Sequence, residues 1–103
     1  MEKYIYVRIS CDNYIWASDP SVLSWVFTEV KKHIPNCATR GELHDVTGER
    51  VSFQLHQLNN KDFEVYVWII KLLCENGYEP FEMVDIGKFI TVPNYLHFKK
   101  KIQ

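Results

Sequence analysis

At 103 residues, 47% hydrophobic and 15% aromatic, the chain has the length of one domain and the material for a core, unlike a disordered segment. A formal net charge of -1 argues against binding nucleic acid or anionic lipid through bulk charge. No apolar run approaches the roughly 20 residues that a membrane-spanning helix needs.

Residues 4–10, YIYVRIS, alternate with a period of two. Ile5, Val7 and Ile9 share one face, and Tyr4, Tyr6, Arg8 and Ser10 the other, as in a strand with one side buried. CDNYIWASD breaks the alternation and reads as a loop that holds Tyr14, Ile15 and Trp16. Asp19-Pro20 is a helix start, because Asp can cap free N–H groups and Pro fits the first turn. The helix, about 20–34, aligns Leu23, Val26, Phe27, Val30 and Ile34, with Trp25 off that stripe beside Val22. Lys31, Lys32 and His33 fall in its last turn, where positive charge suits the helix dipole, and Pro35 and Asn36 end it.

Residues 41–58 read as a hairpin turning at TGE, where Gly48 supplies a positive φ. In its second arm Val51, Phe53 and Leu55 oppose Ser52, Gln54 and His56. Asn59 or Asn60 can cap a second helix that runs to about Asn76, with Gly77 as its left-handed end. Phe63, Tyr66, Val67, Ile70 and Cys74 mark one apolar stripe of this helix, and Val65, Ile69 and Leu72 a second, with Trp68 to the side. Such a helix is buried on more than one side. Residues 79–85 and about 90–101 read as two last strands around a DIGK turn. In the second of them Leu96 and Phe98 alternate with Tyr95, His97 and Lys99.

The order strand, helix, hairpin, helix, strand, strand predicts one α+β domain over 1–103. The arrangement that fits it is ferredoxin-like: a split β-α-β with an antiparallel sheet, two helices on one face and an extra C-terminal strand.

Three cysteines, Cys11, Cys37 and Cys74, are widely spaced and form no C-x-x-C pair, which favours reduced thiols over a disulfide framework. MEKYIYVRIS has no signal-peptide pattern, so a cytoplasmic setting is expected. His33 and Cys37, followed by His44 and Asp45, offer too few ligands for a zinc site, and no metal or cofactor is expected. Glu42, His44, Asp45 and Glu49 gather in the hairpin as a solvated turn rather than an acid–base pair. There is no P-loop, G-x-G-x-x-G, G-x-S-x-G or H-E-x-x-H.

LLCENGYEPFEMV, residues 72–84, is the corner between the second helix and an edge strand. Cys74 is expected there as a small buried hydrophobe beside Ile70 rather than a nucleophile. NGYEPFEMV resembles the helix-to-strand corner of a small bacterial family of unknown function, in which Gly ends the helix and Gly-Trp-Glu-Leu-Val follows. The second Gly and the Trp are missing here, and the resemblance implies a corner and no activity.

If the strands turn Ile5, Val7, Val51, Phe53, Leu55, Leu96 and Phe98 toward the helices, the opposite side carries Tyr4, Tyr6, Arg8, Gln54, His56, Tyr95, His97 and Lys99. Rings mixed with cations suit a protein interface, because they bury large areas with few rotors and keep polar tips. Tyr14, Trp16 and Trp25 are expected to add a second surface. IYVRI also resembles the first-strand motif of RNA-recognition domains, but GERVSFQLH lacks the basic-Gly-aromatic-Gly-aromatic pattern of the second. The expectation is therefore a small non-enzymatic module that binds another protein, as regulator, adaptor or inhibitor of a larger complex, and that can pair as a homodimer. Nucleic-acid binding ranks second. A small-molecule or enzymatic site between the second helix and the sheet ranks third.

Overall fold

Strand alternation decides which side of the sheet the helices cover. The computed structural model describes residues 3–10, 13–57, 62–81 and 95–102, with side chains at all of these except Arg40, His56, Gln57, Asp62 and Phe63. The elements are β1 (Lys3–Ser10), β2 (Tyr14–Ala17), α1 (Pro20–His33), β3 (Cys37–His44), β4 (Arg50–Gln57), α2 (Asp62–Glu75), β5 (Glu79–Phe81) and β6 (Tyr95–Ile102). Among the described residues the strands form one six-stranded sheet in the order β3-β4-β2-β1-β6-β5. Every pairing in it is antiparallel.

The protein is thus α+β, with two helices against an antiparallel sheet. The ferredoxin-like order does not describe it. Hairpins β1–β2 and β3–β4 and the antiparallel pair β5–β6 build the sheet, with α1 after the first hairpin and α2 after the second. β1 pairs with β2 on one side and with β6 on the other, which places the N-terminal strand in the middle. The departure comes from β2, an extra strand where the sequence reads as a loop.

Tyr14, Ile15 and Trp16 lie in that strand, which corrects the loop expectation. Asn13 makes it possible. Its φ of 64° is left-handed, a conformation that Asn tolerates better than most residues. Its N–H donates to the Ser10 carbonyl at 2.9 Å, which turns the chain back on itself. Ile15 and Ala17 then point inward at 0% exposure, and Tyr14 and Trp16 take the other face.

α1 starts as its sequence implies. Asp19 accepts from the Ser21 N–H at 3.0 Å, and Pro20 occupies the first turn. Leu23, Val26 and Val30 are buried, and Phe27 meets Phe53 edge-on at 6.1 Å. In the last turn Lys31 donates to the carbonyls of Pro35 and Cys37 at 3.3 and 2.9 Å.

The β3–β4 hairpin turns around Asp45, whose carboxylate accepts from the Thr47 and Glu49 N–H groups at 2.8 and 3.0 Å. Gly48 takes the positive φ, 90°. β3 begins at Cys37, earlier than the sequence suggests, and its pairing slips between Arg40 and Glu42 and again between Leu43 and His44.

On α2 the stripe Val65, Ile69, Leu72 and Leu73 is the buried one. Tyr66, Trp68 and Ile70 are partly covered, and Val67 is exposed. Cys74 is exposed as well, which corrects its placement as a buried hydrophobe. It lies on the outer stripe with Val67, turned away from Ile69 and Leu73. Past the helix, the Tyr78 N–H donates to the Leu73 carbonyl at 3.0 Å around Gly77, whose φ is 90°. The 72–84 stretch is thus a helix-to-strand corner as far as Phe81, and its last three residues lie outside the described residues. So do residues 82–94, on which the DIGK turn and parts of the two expected last strands fall, and the Asn59 and Asn60 cap.

One apolar cluster joins both helices to the inner side of the sheet through Val7, Ile9, Ile15, Phe53, Leu55 and Phe98. Each such side chain contributes about 1.5–3 kcal/mol on leaving water.

Candidate functional site: the helix-free face of the sheet

Arg8 is the centre of the sheet face opposite α1 and α2. Register sets it between Trp16 of β2 and His97 of β6. Its guanidinium carbon lies 5.1 Å from the Trp16 ring centre and 5.0 Å from that of Tyr95. Two aromatic faces therefore hold the cation by attraction to their quadrupoles. Arg8 Nε is shielded from solvent and has no hydrogen-bond partner among the described residues.

Two residues along, Tyr6 faces Lys99 across the strands. The Lys99 ammonium lies 5.0 Å from the Tyr4 ring centre and 5.3 Å from that of Phe81. The rings also meet one another, Tyr4 with Tyr6 at 6.0 Å and Tyr6 with Phe81 at 5.9 Å. The patch stays accessible, with Tyr6 at 40% and Tyr95 at 37% exposure.

Arg8 and Lys99 have no ion-pair partner among the described residues. Among the described residues, the ion pairs are Lys32–Glu29, Arg50–Glu42 and His44–Glu42, and all lie elsewhere. Glu79 stands at the margin, in register with Lys99 but outside salt-bridge distance. Burial, and then the positive charge of Arg8, holds the His97 imidazole below its ordinary pKa.

Of the residues singled out from sequence, Tyr4, Tyr6, Arg8, Tyr14, Trp16, Gln54, Tyr95, His97 and Lys99 share this face. The side chain of His56 lies outside the described residues. Trp25 does not join them, which corrects its grouping with Tyr14 and Trp16. It packs on the helix side, stacked on Tyr78 at 6.4 Å, because α1 turns it toward the α2–β5 corner. Burial, helped by Asp19, pushes the Tyr78 phenol above its usual range. Sequence reasoning missed Phe81 as a member of the face. Its signal was parity: with Tyr78 inward, Glu79 and Phe81 must point outward.

The hairpin acids do structural work instead. Glu42 accepts from Arg50 at 2.6 Å and lies 3.5 Å from His44. Asp45 staples its turn, and the hydrogen bond from the Thr47 hydroxyl at 2.7 Å, followed by that from the Glu49 N–H, holds its carboxyl below the usual range. A polar cleft of about 640 Å³ lies nearby between Asp19, Ser21, Ser24, His44 and Arg50. A smaller one of about 300 Å³ is lined by Ser21, Trp25, Asn76, Tyr78 and Lys100. His97 lines neither. Among the described residues no three His, Cys, Asp or Glu side chains gather as metal ligands, and no helix is long and apolar enough to cross a membrane.

No family model, curated protein or solved structure matches the chain. The reading of function rests on the geometry alone.

Proposed function

We propose that the protein is a non-enzymatic interaction module that receives another protein on the helix-free face of its sheet and regulates, links or inhibits a larger complex. The observation that supports this reading is Arg8 held between Trp16 and Tyr95 on the face opposite the described helices. Arg, Trp and Tyr are the side chains that carry the most binding energy at protein interfaces, in part because few rotors must be frozen. The cytoplasm is the proposed setting, and self-pairing is proposed as a weaker use of the same face that the partner displaces.

Affinity capture with quantitative mass spectrometry tests it. Tyr6→Ala, Tyr95→Ala and Trp16→Ala should each deplete a protein that the parent chain retains, while thermal unfolding shows the fold intact. A partner retained equally by all three would remove the reading.

The second reading is a nucleic-acid-binding sheet. Lys99 over Tyr4 and Phe81 favours it, because rings beside cations can stack bases. Single-stranded RNA should then bind with a steep salt dependence, and no binding at low salt eliminates it.

A further inference from the structure

The same face also constrains the chemistry of its occupant. Arg8 and Lys99 sit on neighbouring strands, two positions apart in register, because Arg8 faces His97 and Tyr6 faces Lys99. Such a diagonal spans about 7–8 Å between Cα atoms. Both cations are held over rings, and neither has an ion-pair partner among the described residues. Arg8 Nε in addition has no acceptor among them. The rings hold each head group in place without neutralising it, so its ordering is largely complete before any partner arrives.

We propose that the occupant is an acidic protein segment, lying extended over β1 and β6, with alternate carboxylates against Arg8 and Lys99 and apolar side chains against Tyr6 and Phe81. The inference rests on the docking role proposed above. Two residues of an extended chain rise about 6.4–6.8 Å, which matches the diagonal. Carboxylates also give a guanidinium and an ammonium the charge-assisted hydrogen bonds that the rings cannot.

A second copy of the chain fits less well, since its hairpin acids Glu42 and Asp45 are engaged within their own fold, its exposed Glu64 and Glu75 lie on a helix, and Glu79 is a single strand carboxylate without an alternating neighbour. A phosphate backbone fits less well too. It needs a track dominated by cations, whereas Arg8, Lys99 and Lys101 are interspersed with the rings of Tyr4, Tyr6, Phe81 and Tyr95 in a chain of net charge -1.

Nuclear magnetic resonance titration of the full chain provides the test. The probes are a synthetic peptide alternating glutamate with leucine and tyrosine, its lysine-for-glutamate counterpart, and single-stranded oligouridylate. The acidic peptide should shift the Arg8 Nε–H and Trp16 indole signals, and added salt should weaken its binding. Arg8→Gln and Lys99→Gln should each weaken it about tenfold, the effect of losing one charge-assisted hydrogen bond. Arg8→Lys should retain more affinity than Arg8→Gln, and Lys71→Gln on α2 should change nothing.

Absence of shifts with the acidic peptide, equal binding of the lysine peptide, preference for oligouridylate or undiminished affinity in both Gln variants would each overturn the inference. So would self-association of the chain that blocks the peptide. In the capture assay the two proposals separate. A partner lost with Tyr6→Ala and Trp16→Ala but indifferent to salt, Arg8→Gln and Lys99→Gln preserves the docking reading and ends this one.

Discussion

Phe53 and Tyr6 are both rings on strands of one sheet, yet Phe53 is 0% exposed and Tyr6 is 40% exposed. Arg50 and Arg8 form a parallel contrast. Arg50 is locked to Glu42 at 2.6 Å, whereas Arg8 rests on Trp16 and Tyr95. On the inner side apolar side chains pack on one another, and at the hairpin end Glu42 meets the charge of Arg50, although Arg50 Nε, like Arg8 Nε, has no acceptor among the described residues. On the open face the same residue types are positioned but left with unused capacity. A side chain's type therefore says little about its task until its partners are known.

The sharpest way to break this contrast is to truncate one ring on each side. Phe53→Ala should cost about 3–5 kcal/mol in urea unfolding, because it leaves a cavity under α1. Tyr6→Ala should cost under about 1 kcal/mol, since its surroundings are already wet. Equal losses would mean that the open face belongs to the core.

The arginines give a smaller effect. A double-mutant cycle on Glu42→Gln and Arg50→Gln should return a coupling of at most about 1 kcal/mol, because both partners are partly solvated. The corresponding Arg8 and Trp16 cycle should give about 0.5–1 kcal/mol and should respond less to salt. A larger coupling at Arg8 would turn the open face into a structural device.

The smallest effect is a pH response. His97 has a folded pKa below its ordinary 6.5, so the unfolded chain binds the proton first as pH falls. The neutral imidazole therefore favours the fold fully above 6.5, and that contribution declines on acidification from there through the depressed folded value. His97→Gln should flatten this decline. Arg8→Gln should move the His97 midpoint up in a proton-resonance titration but not fully back, since burial is the larger cause.

Much of this was legible in the sequence where a pattern runs long enough to repeat. YIYVRIS and the RVSFQLH arm show their period over seven residues each, and their facing followed. Asp19-Pro20 and Gly77 mark backbone ends by local chemistry, independent of what packs on them. YIWA was not legible as a strand. Four residues between polar flanks show no period, and its outer pairing is with β4, which is distant in sequence. The strand order was hidden for the same reason, because it follows from β1 pairing with β6 some ninety positions away. On α2 two apolar stripes competed, and only the packed sheet selected Val65 and Ile69 over Val67 and Cys74.

The two outer strands carry a further consequence. Within its described residues β5 carries Pro80, which has no N–H to offer, and β3 is interrupted by two register slips. Both are poor templates for a foreign ribbon, so pairing onto either strand is discouraged. The adhesion of the displayed rings is then confined to the face of the sheet instead of spreading along these strands.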